Sequence, residues 1–484
     1  MLSAMFRRVL VPAVIAATLA APWHAGLAQD AASLRFGAEG FTLANGMQVV
    51  VIPNHRVPAV TQMVWYKAGA ADEPRGKSGI AHFLEHLMFR GTKDVPPGMF
   101  SRIVAQNGGR DNAFTAEDYT AFHQTVAADR LELVMKMEAD RMNGLVIDDA
   151  VVLPERQVIL EERRSRIDNS PAALLDEQVR AALYLNHPYR IPTIGWEHEM
   201  EQLSTEDAIA WYRTWYHPNN AVLVVAGDVT LDQVRSLAEK YYGSIPAQPV
   251  PPRNRVKEPP KVATTRLEMR SPRVAQASWT RSFLAPSYTG GETKYAYPLQ
   301  VLSEILGGGA TSRLNRSLVL QQKLASFAGA YYDPGRLDLS TFGFYASPRG
   351  DVSVEKLESA IEAEIQKLLE QGVTPEEVER AKTRMQAEAV YERDSLAGPA
   401  NIFGAALAIG RSIEDVEAWP EEIGKVTVDD VNEAAKFVIR EQDAVTGILL
   451  PEHVTGAPPA AASPPPIAGQ GRVGDAPEPL ELRP

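Results

Sequence analysis

The sequence predicts an α+β protein of two similar halves joined by a proline-rich linker. Three observations lead there. The chain has 484 residues, 45% of them apolar, too many for one compact core. A strand–helix order laid out before residue 240 returns after residue 263. Between the two, Pro246, Pro249, Pro251, Pro252, Pro259 and Pro260 crowd one stretch, a semi-rigid linker composition.

Taken in order, the chain begins with a secretion-signal pattern. Arg7 and Arg8 precede the apolar run Val9–Ala21, and Gly26-Leu27-Ala28 places cleavage after Ala28. The run is shorter than the roughly 20 residues a membrane span needs. Phe41-Thr42-Leu43 and Met47–Ile52 flank Ala44-Asn45-Gly46, a hairpin signature. A strand is expected at Val60–Tyr66, helices at Ile80–Phe89 and Met99–Gln106, and strands at Asp111–Thr115 and Tyr119–Thr125. Helices follow at Asp129–Met142, at Asp148–Ile167 with Asp148 as N-cap, and at Ala208–Trp215. Asn220–Ala226 reads as a buried strand. The second half repeats the plan, with strands near Ala275–Phe283, Ser326–Tyr332 and Ser340–Ala346. Its helices are expected near Tyr297–Leu306, Val354–Gln371 and Thr374–Arg393. The expected division is a signal at 1–28, a first half at 36–240, a linker at 241–262, a second half at 263–450 and a disordered Pro/Ala-rich tail at 451–484.

Composition excludes some chemistry. The net charge is −12 and no block of Lys or Arg stands out, which argues against a nucleic-acid partner. There is no cysteine, so thiolate-bound zinc, a cysteine nucleophile and disulfides are all excluded.

One constellation carries chemistry. In His82-Phe83-Leu84-Glu85-His86 the two histidines lie one helical turn apart on one face, and Glu85 shares it. Two imidazoles so spaced can bind one Zn²⁺, and the carboxylate can act as a base beside them. The pattern is the inverted form of the commoner His-Glu-x-x-His zinc motif. An apolar helix with two core histidines would look the same, so a third ligand is the test. Val151, Glu155, Val158 and Glu162 fall on one helical face, setting two carboxylates into an apolar stripe. A buried charge must be paired or bound to metal. Glu162 is therefore the expected third ligand and Glu155 the group that orients a ligating histidine. Glu161 is the rival ligand, a helical step away. His123, His187, His198 and His217 lack a histidine at helical spacing and are expected to be structural or surface groups.

With these residues the chain resembles the pitrilysin/insulinase family of zinc peptidases, in the short variety that includes mitochondrial processing peptidase and bacterial exported relatives. Other segments fit: His86–Thr92, Asp111-Asn112-Ala113-Phe114-Thr115, Pro154–Ile159, Tyr216–Asn220 and Gly307–Leu314. The resemblance implies a clamshell of two homologous α/β-sandwich halves with one zinc in the first. The reading is of an endopeptidase with Glu85 as general base, and the signal pattern implies export to the periplasm, with secretion as the second choice. The resemblance also implies that substrate peptide adds as a strand along an edge bearing Asn112 and Ala113; by itself, Asn112 is equally a turn residue. Active single-chain relatives carry an Arg and a Tyr in the second half that hold the substrate carbonyl. Here those places are Val319 and Ser326. Either Tyr331 or Tyr332 substitutes, or a partner subunit supplies the groups, in a heterodimer with a metal-free homologue or in a homodimer. A non-catalytic scaffold subunit and a metal-binding protein without hydrolysis are the rival readings. The intact His/Glu/His/Glu set argues against the first, and an unliganded Glu85 against the second.

Overall fold

The computed structural model describes residues 35–452; the signal segment at 1–28 and all of the tail from residue 453 lie outside them. The chain folds around two sheets. The first comprises β1 (Glu39–Thr42), β2 (Gln48–Pro53), β3 (Ala59–Tyr66), β4 (Arg110–Thr115), β5 (Thr120–Ala127) and β6 (Ala221–Gly227), in the order β1-β2-β6-β3-β5-β4. The second comprises β7 (Thr265–Ser271), β8 (Ser278–Ala285), β9 (Ala325–Tyr332), β10 (Ser340–Pro348) and β11 (Val445–Pro451), in the order β7-β11-β8-β10-β9.

The two sheets share one plan. In the first, β2 and β6 are parallel and every other neighbour pair is antiparallel. In the second, β7 and β11 are parallel and the rest antiparallel. Strand for strand, β2-β6-β3-β5-β4 corresponds to β7-β11-β8-β10-β9, and β1 is an addition to the first sheet. The Asn45-Gly46 turn joins β1 to β2 in the register Thr42↔Gln48, as the hairpin signature requires. β7 and β11 go beyond the strands expected from the sequence, and the tail begins later than residue 451 because Pro451 ends β11 and the Glu452 N–H donates to Ser271 O.

Helices cover one face of the first sheet: α1 (Ile80–Leu87), α2 (Met99–Gln106), α3 (Leu131–Gly144) and α4 (Asp149–Arg163). Their apolar sides close one core with Val49, Val51, Val64, Phe122 and Leu223. The opposite face is covered by a helix from the other end of the chain, Gly398–Ala408, whose Phe403 and Leu407 cluster with Trp65, Val222 and Val224. The exchange is reciprocal. α5 (Pro171–Leu183) leaves the first half and sets Leu175 and Val179 against Val445 and Leu449 of the second sheet. Each crossing uses a glycine. A Cβ on Gly404 would lie 2.0 Å from the Trp65 indole nitrogen, and one on Gly447 would lie 2.7 Å from a Val179 methyl. Backbone therefore meets side chain there at distances no larger residue allows. Neither crossing helix is among the elements expected from the sequence.

The linker is strapped down by charge. The Arg255 guanidinium donates to both oxygens of Asp72 at 2.9 Å, to Asp118, and to Asp338 in the second half at 3.3 Å. Glu258 accepts the backbone N–H groups of Asn186 at 3.0 Å and His187 at 2.7 Å. Lys261 donates to the Ala182 carbonyl at 2.7 Å.

A second contact joins the tips of two hairpins. Glu117, in the β4–β5 turn, meets Arg180 of α5 and Arg336 of the β9–β10 connection, each at 2.9 Å. Burial works to raise the Glu117 pKa, but Arg336 and Arg180 outweigh it and hold the carboxyl down to about 2. Such a group stabilises the fold fully above its unfolded pKa, near 4.5, and the contribution is lost as pH falls through about 2. Glu117→Gln should lower stability at neutral pH and flatten the loss between pH 4.5 and 2. Urea unfolding across that range checks this; a profile identical to the wild type contradicts it.

Candidate metal centre

α1 starts where the Glu73 side chain accepts the N–H groups of Gly79 and Ala81, both at 2.9 Å, satisfying two of the donors a helix start leaves open. Ile80, Ala81, Phe83, Leu84 and Leu87 are buried, which fixes the rotation of the helix. His82 and His86 then face α4 together, with ring centroids 4.8 Å apart.

α4 begins at the N-cap Asp148, whose side chain accepts the Val151 N–H. Its buried face comprises Val152, Glu155, Ile159 and Glu162. This corrects the expected stripe. Both carboxylates are buried, but Val158 is 45% exposed and Val151 only half-buried. The reason is rotation: α4 turns the side centred on Glu155 and Ile159 toward α1, which carries Val158 out to solvent. After Arg163 the helix widens into a π-helical turn, Arg164–Asp168, where a continuous α-helix was expected.

The structure brings three donors together. His86 Nε2 lies 3.3 Å and His82 Nε2 lies 3.8 Å from Glu162 Oε2. Among the described residues, His82, His86 and Glu162 form the one group of metal-ligating type, with donor atoms all within 4.8 Å of one another. Donors sharing a tetrahedral zinc at ~2.0–2.1 Å stand about 3.4 Å apart, so the set fits that ion with small side-chain movements. Two imidazoles and one carboxylate are also a donor set that zinc takes. Glu155 accepts from His86 Nδ1 at 2.9 Å, turning Nε2 toward Glu162, and its other oxygen pairs with Arg90. His82 has no such support, since its Nδ1 is buried without a hydrogen-bond partner. The rival Glu161 is exposed and paired with Arg164, so it is turned away.

Electrostatics among these groups is strongly coupled. Burial drives His82 down to about 3, and the neighbouring His86 adds to this. Burial also opposes charge on His86, but hydrogen bonds to Glu155 and Glu162 outweigh it and lift the ring to about 9. Burial would raise Glu162, yet His86, His82 and Arg166 hold it at about 2. Burial lifts Glu85 to about 7, against the pull of His86 and Thr115. Glu85 is not among the three clustered donors; its Oε2 accepts from Thr115 Oγ1 of β4 at 2.7 Å.

β4 is the edge of the first sheet. Asn112 pairs with His123 and Ala113 with Phe122 on the inner side. The Ala113 N–H is taken up by the Asn112 side-chain oxygen at 2.9 Å. In the second half, Val319 lies in a π-helical turn, Asn315–Gln321, and Ser326 in β9. Tyr332 donates to the Pro286 carbonyl at 2.6 Å, and the Tyr331 hydroxyl lies 3.3 Å from Ser282 Oγ. The four histidines expected to be structural or surface groups are engaged elsewhere or exposed: His187 with Asp338 at 3.1 Å, His217 with the Arg213 carbonyl at 2.6 Å, His123 within β5, and His198 at 74% exposure. Thr115, Arg90 and Arg166 were not singled out from the sequence. Thr115 closed a segment already noted, and Arg166 stands one helical turn past Glu162, the one spacing that could have flagged it.

Comparison with known proteins shows the family and the fold. Residues 48–196 match the family profile Insulinase (Peptidase family M16), and residues 202–385 match Peptidase M16 inactive domain. The chain is 31% identical over 419 residues to the zinc protease PqqE of Helicobacter pylori, covering 85% of this chain and 93% of that one. It shares its fold with a crystal structure of a protease from Helicobacter pylori at a TM-score of 0.80 and 29% identity, over 86% of this chain and 99% of the other. The periplasmic protease PqqL of Escherichia coli has the same fold, with a TM-score of 0.73 at 20% identity; 85% of this chain is covered, but 47% of PqqL. The chain belongs to the M16 peptidase family, and its fold is the two-part clamshell of that family.

Glu155→Gln should keep the fold and weaken zinc binding by about 10–100-fold, because His86 loses the anion that orients it. Competition against a chromophoric chelator measures this, and an unchanged affinity would remove Glu155 from the site.

Proposed function

We propose that the chain is an exported zinc endopeptidase in which His82, His86 and Glu162 hold the metal and Glu85 is the general base. The observation that carries this is Glu85 itself. It is a buried carboxylate on the same helix as two clustered imidazoles, held by Thr115 and not by a cation. A pure metal store has no use for it. Zinc, when bound, supplies Lewis acidity and a water of lowered pKa.

The chain's own residues do the rest. β4 offers its open edge, at Asn112 and Ala113, to an extended peptide, whose backbone replaces the internal Asn112–Ala113 bond. Thr115 lies on the same strand, so the strand that aligns the scissile bond also holds the base. Glu85 takes a proton from the attacking water as its oxygen joins the scissile carbonyl carbon. It returns that proton to the leaving nitrogen as the C–N bond breaks. Glu155 keeps His86 turned toward Glu162. A donor for the carbonyl oxygen is still required. The hydroxyl of Tyr332 is committed within its own half, that of Tyr331 lies beside Ser282, and neither bonds a residue of the cluster. We take that donor to come from a partner subunit. PqqL supports pairing, because one PqqL chain is about twice the length this fold occupies.

Glu85→Gln should retain zinc and lose peptide cleavage by about 10²–10⁴-fold; cleavage at the wild-type rate would refute the base assignment. Native mass spectrometry of the untagged protein should find a dimer of this chain, lacking residues 1–28, with a metal-free homologue. A fully active homodimer would sink the heterodimer, and a retained N-terminus would sink the cleaved signal.

A further inference from the structure

Glu162 has two oxygens, and the structure uses them differently. Oε2 faces His86 and His82. Oε1 is bound by the Arg166 guanidinium at 2.7 Å. The carboxylate is nearly buried, with 8% of its side chain exposed, while Arg166 is 47% exposed and reaches in from the surface. Among the described residues no other arginine or lysine pairs with Glu162, as Arg163 is turned to Glu177 at 2.9 Å and Arg164 to Glu161. The backbone arranges this. Arg166 stands in the π-helical turn at the end of α4, closed by the Asn169 N–H donating to the Arg164 carbonyl at 2.9 Å. π-turns of this kind recur where a helix aims side chains at a functional site. The charge of Arg166 is felt by His82 and Glu85 as well as Glu162.

We infer that Arg166 is a positioning residue of the metal centre: it holds the outer oxygen of Glu162 so that the carboxylate offers zinc one oxygen, Oε2, in a fixed direction. The inference rests on the reading of His82, His86 and Glu162 as zinc ligands. Its physical logic is that of Glu155 and His86, where a fixed partner on the far side of a ligand sets the near side. The cation also works against a second positive charge nearby, so the sign of its effect is a real test. Where orientation dominates, its removal weakens zinc binding. Where repulsion dominates, its removal strengthens it.

The test is zinc affinity of the full, folded chain, by competition with a chromophoric chelator, for wild type, Arg166→Ala, Arg166→Lys and Arg164→Ala. Arg166 and Arg164 are both surface-reaching, so the fold survives, and circular dichroism confirms it. Arg166→Ala should lose about tenfold or more in affinity, Arg166→Lys should recover part of that, and Arg164→Ala should match wild type. A gain in affinity for Arg166→Ala, or a loss no larger than that of Arg164→Ala, overturns the inference. Failure of the wild-type chain to compete for zinc at all would instead overturn the metal reading on which it rests.

Discussion

The site depends on one constraint: two carboxylates, Glu155 and Glu162, lie on the buried face of α4 and need partners there. The partners come from α1, which turns His86 to Glu155 and both histidines to Glu162. Arg90 and Arg166 complete the pairing from the outside. Once α1 and α4 are locked in this way, Glu85 has one place to go. It lies beside β4, where Thr115 receives it. A packing demand and a chemical arrangement are thus met by the same few residues.

The second organising feature is reciprocal exchange. Each sheet is closed on one face by a helix from the other end of the chain, α5 in one direction and Gly398–Ala408 in the other. The halves therefore share core, and the buried ion pairs reinforce the join. Arg255 touches Asp72 and Asp118 on one side and Asp338 on the other. Leaving one member of such a buried pair uncompensated typically costs about 3–5 kcal/mol, a large share of the ~5–15 kcal/mol by which a domain is stable. Charged groups of the linker, Arg255 and Glu258 among them, tie it to both halves alongside its packed Tyr242 and Ile245.

The second half keeps the plan of the first without its chemistry. The strand order matches strand for strand, yet no His/Glu cluster accompanies it among the described residues. What it contributes is position. Arg336 and the Leu337 N–H hold Glu117 and Asp118 at the tip of the β4–β5 hairpin, and so steady the edge strand that ends at Thr115.

Much of this was legible in the sequence, for a physical reason. Helical spacing is local, so His82, Glu85 and His86 had to share a face, and a carboxylate in an apolar helix had to be accounted for. Asn45-Gly46 and the N-cap Asp148 are likewise short-range signals, and both hold. The α4 stripe shows the limit. Spacing alone narrowed the buried face to within one residue, but packing against α1 decided that Val158 lies outside it. The crossing helices, β7 and β11 depend on contacts between residues hundreds of positions apart, which no local pattern records. By itself the sequence determined which residues could bind a metal and which helix carries each. The tertiary structure alone decided that Thr115 holds Glu85, that Arg166 takes the outer oxygen of Glu162, and that the two halves share their cores, because each of these is a meeting of side chains that only the closed fold brings within reach.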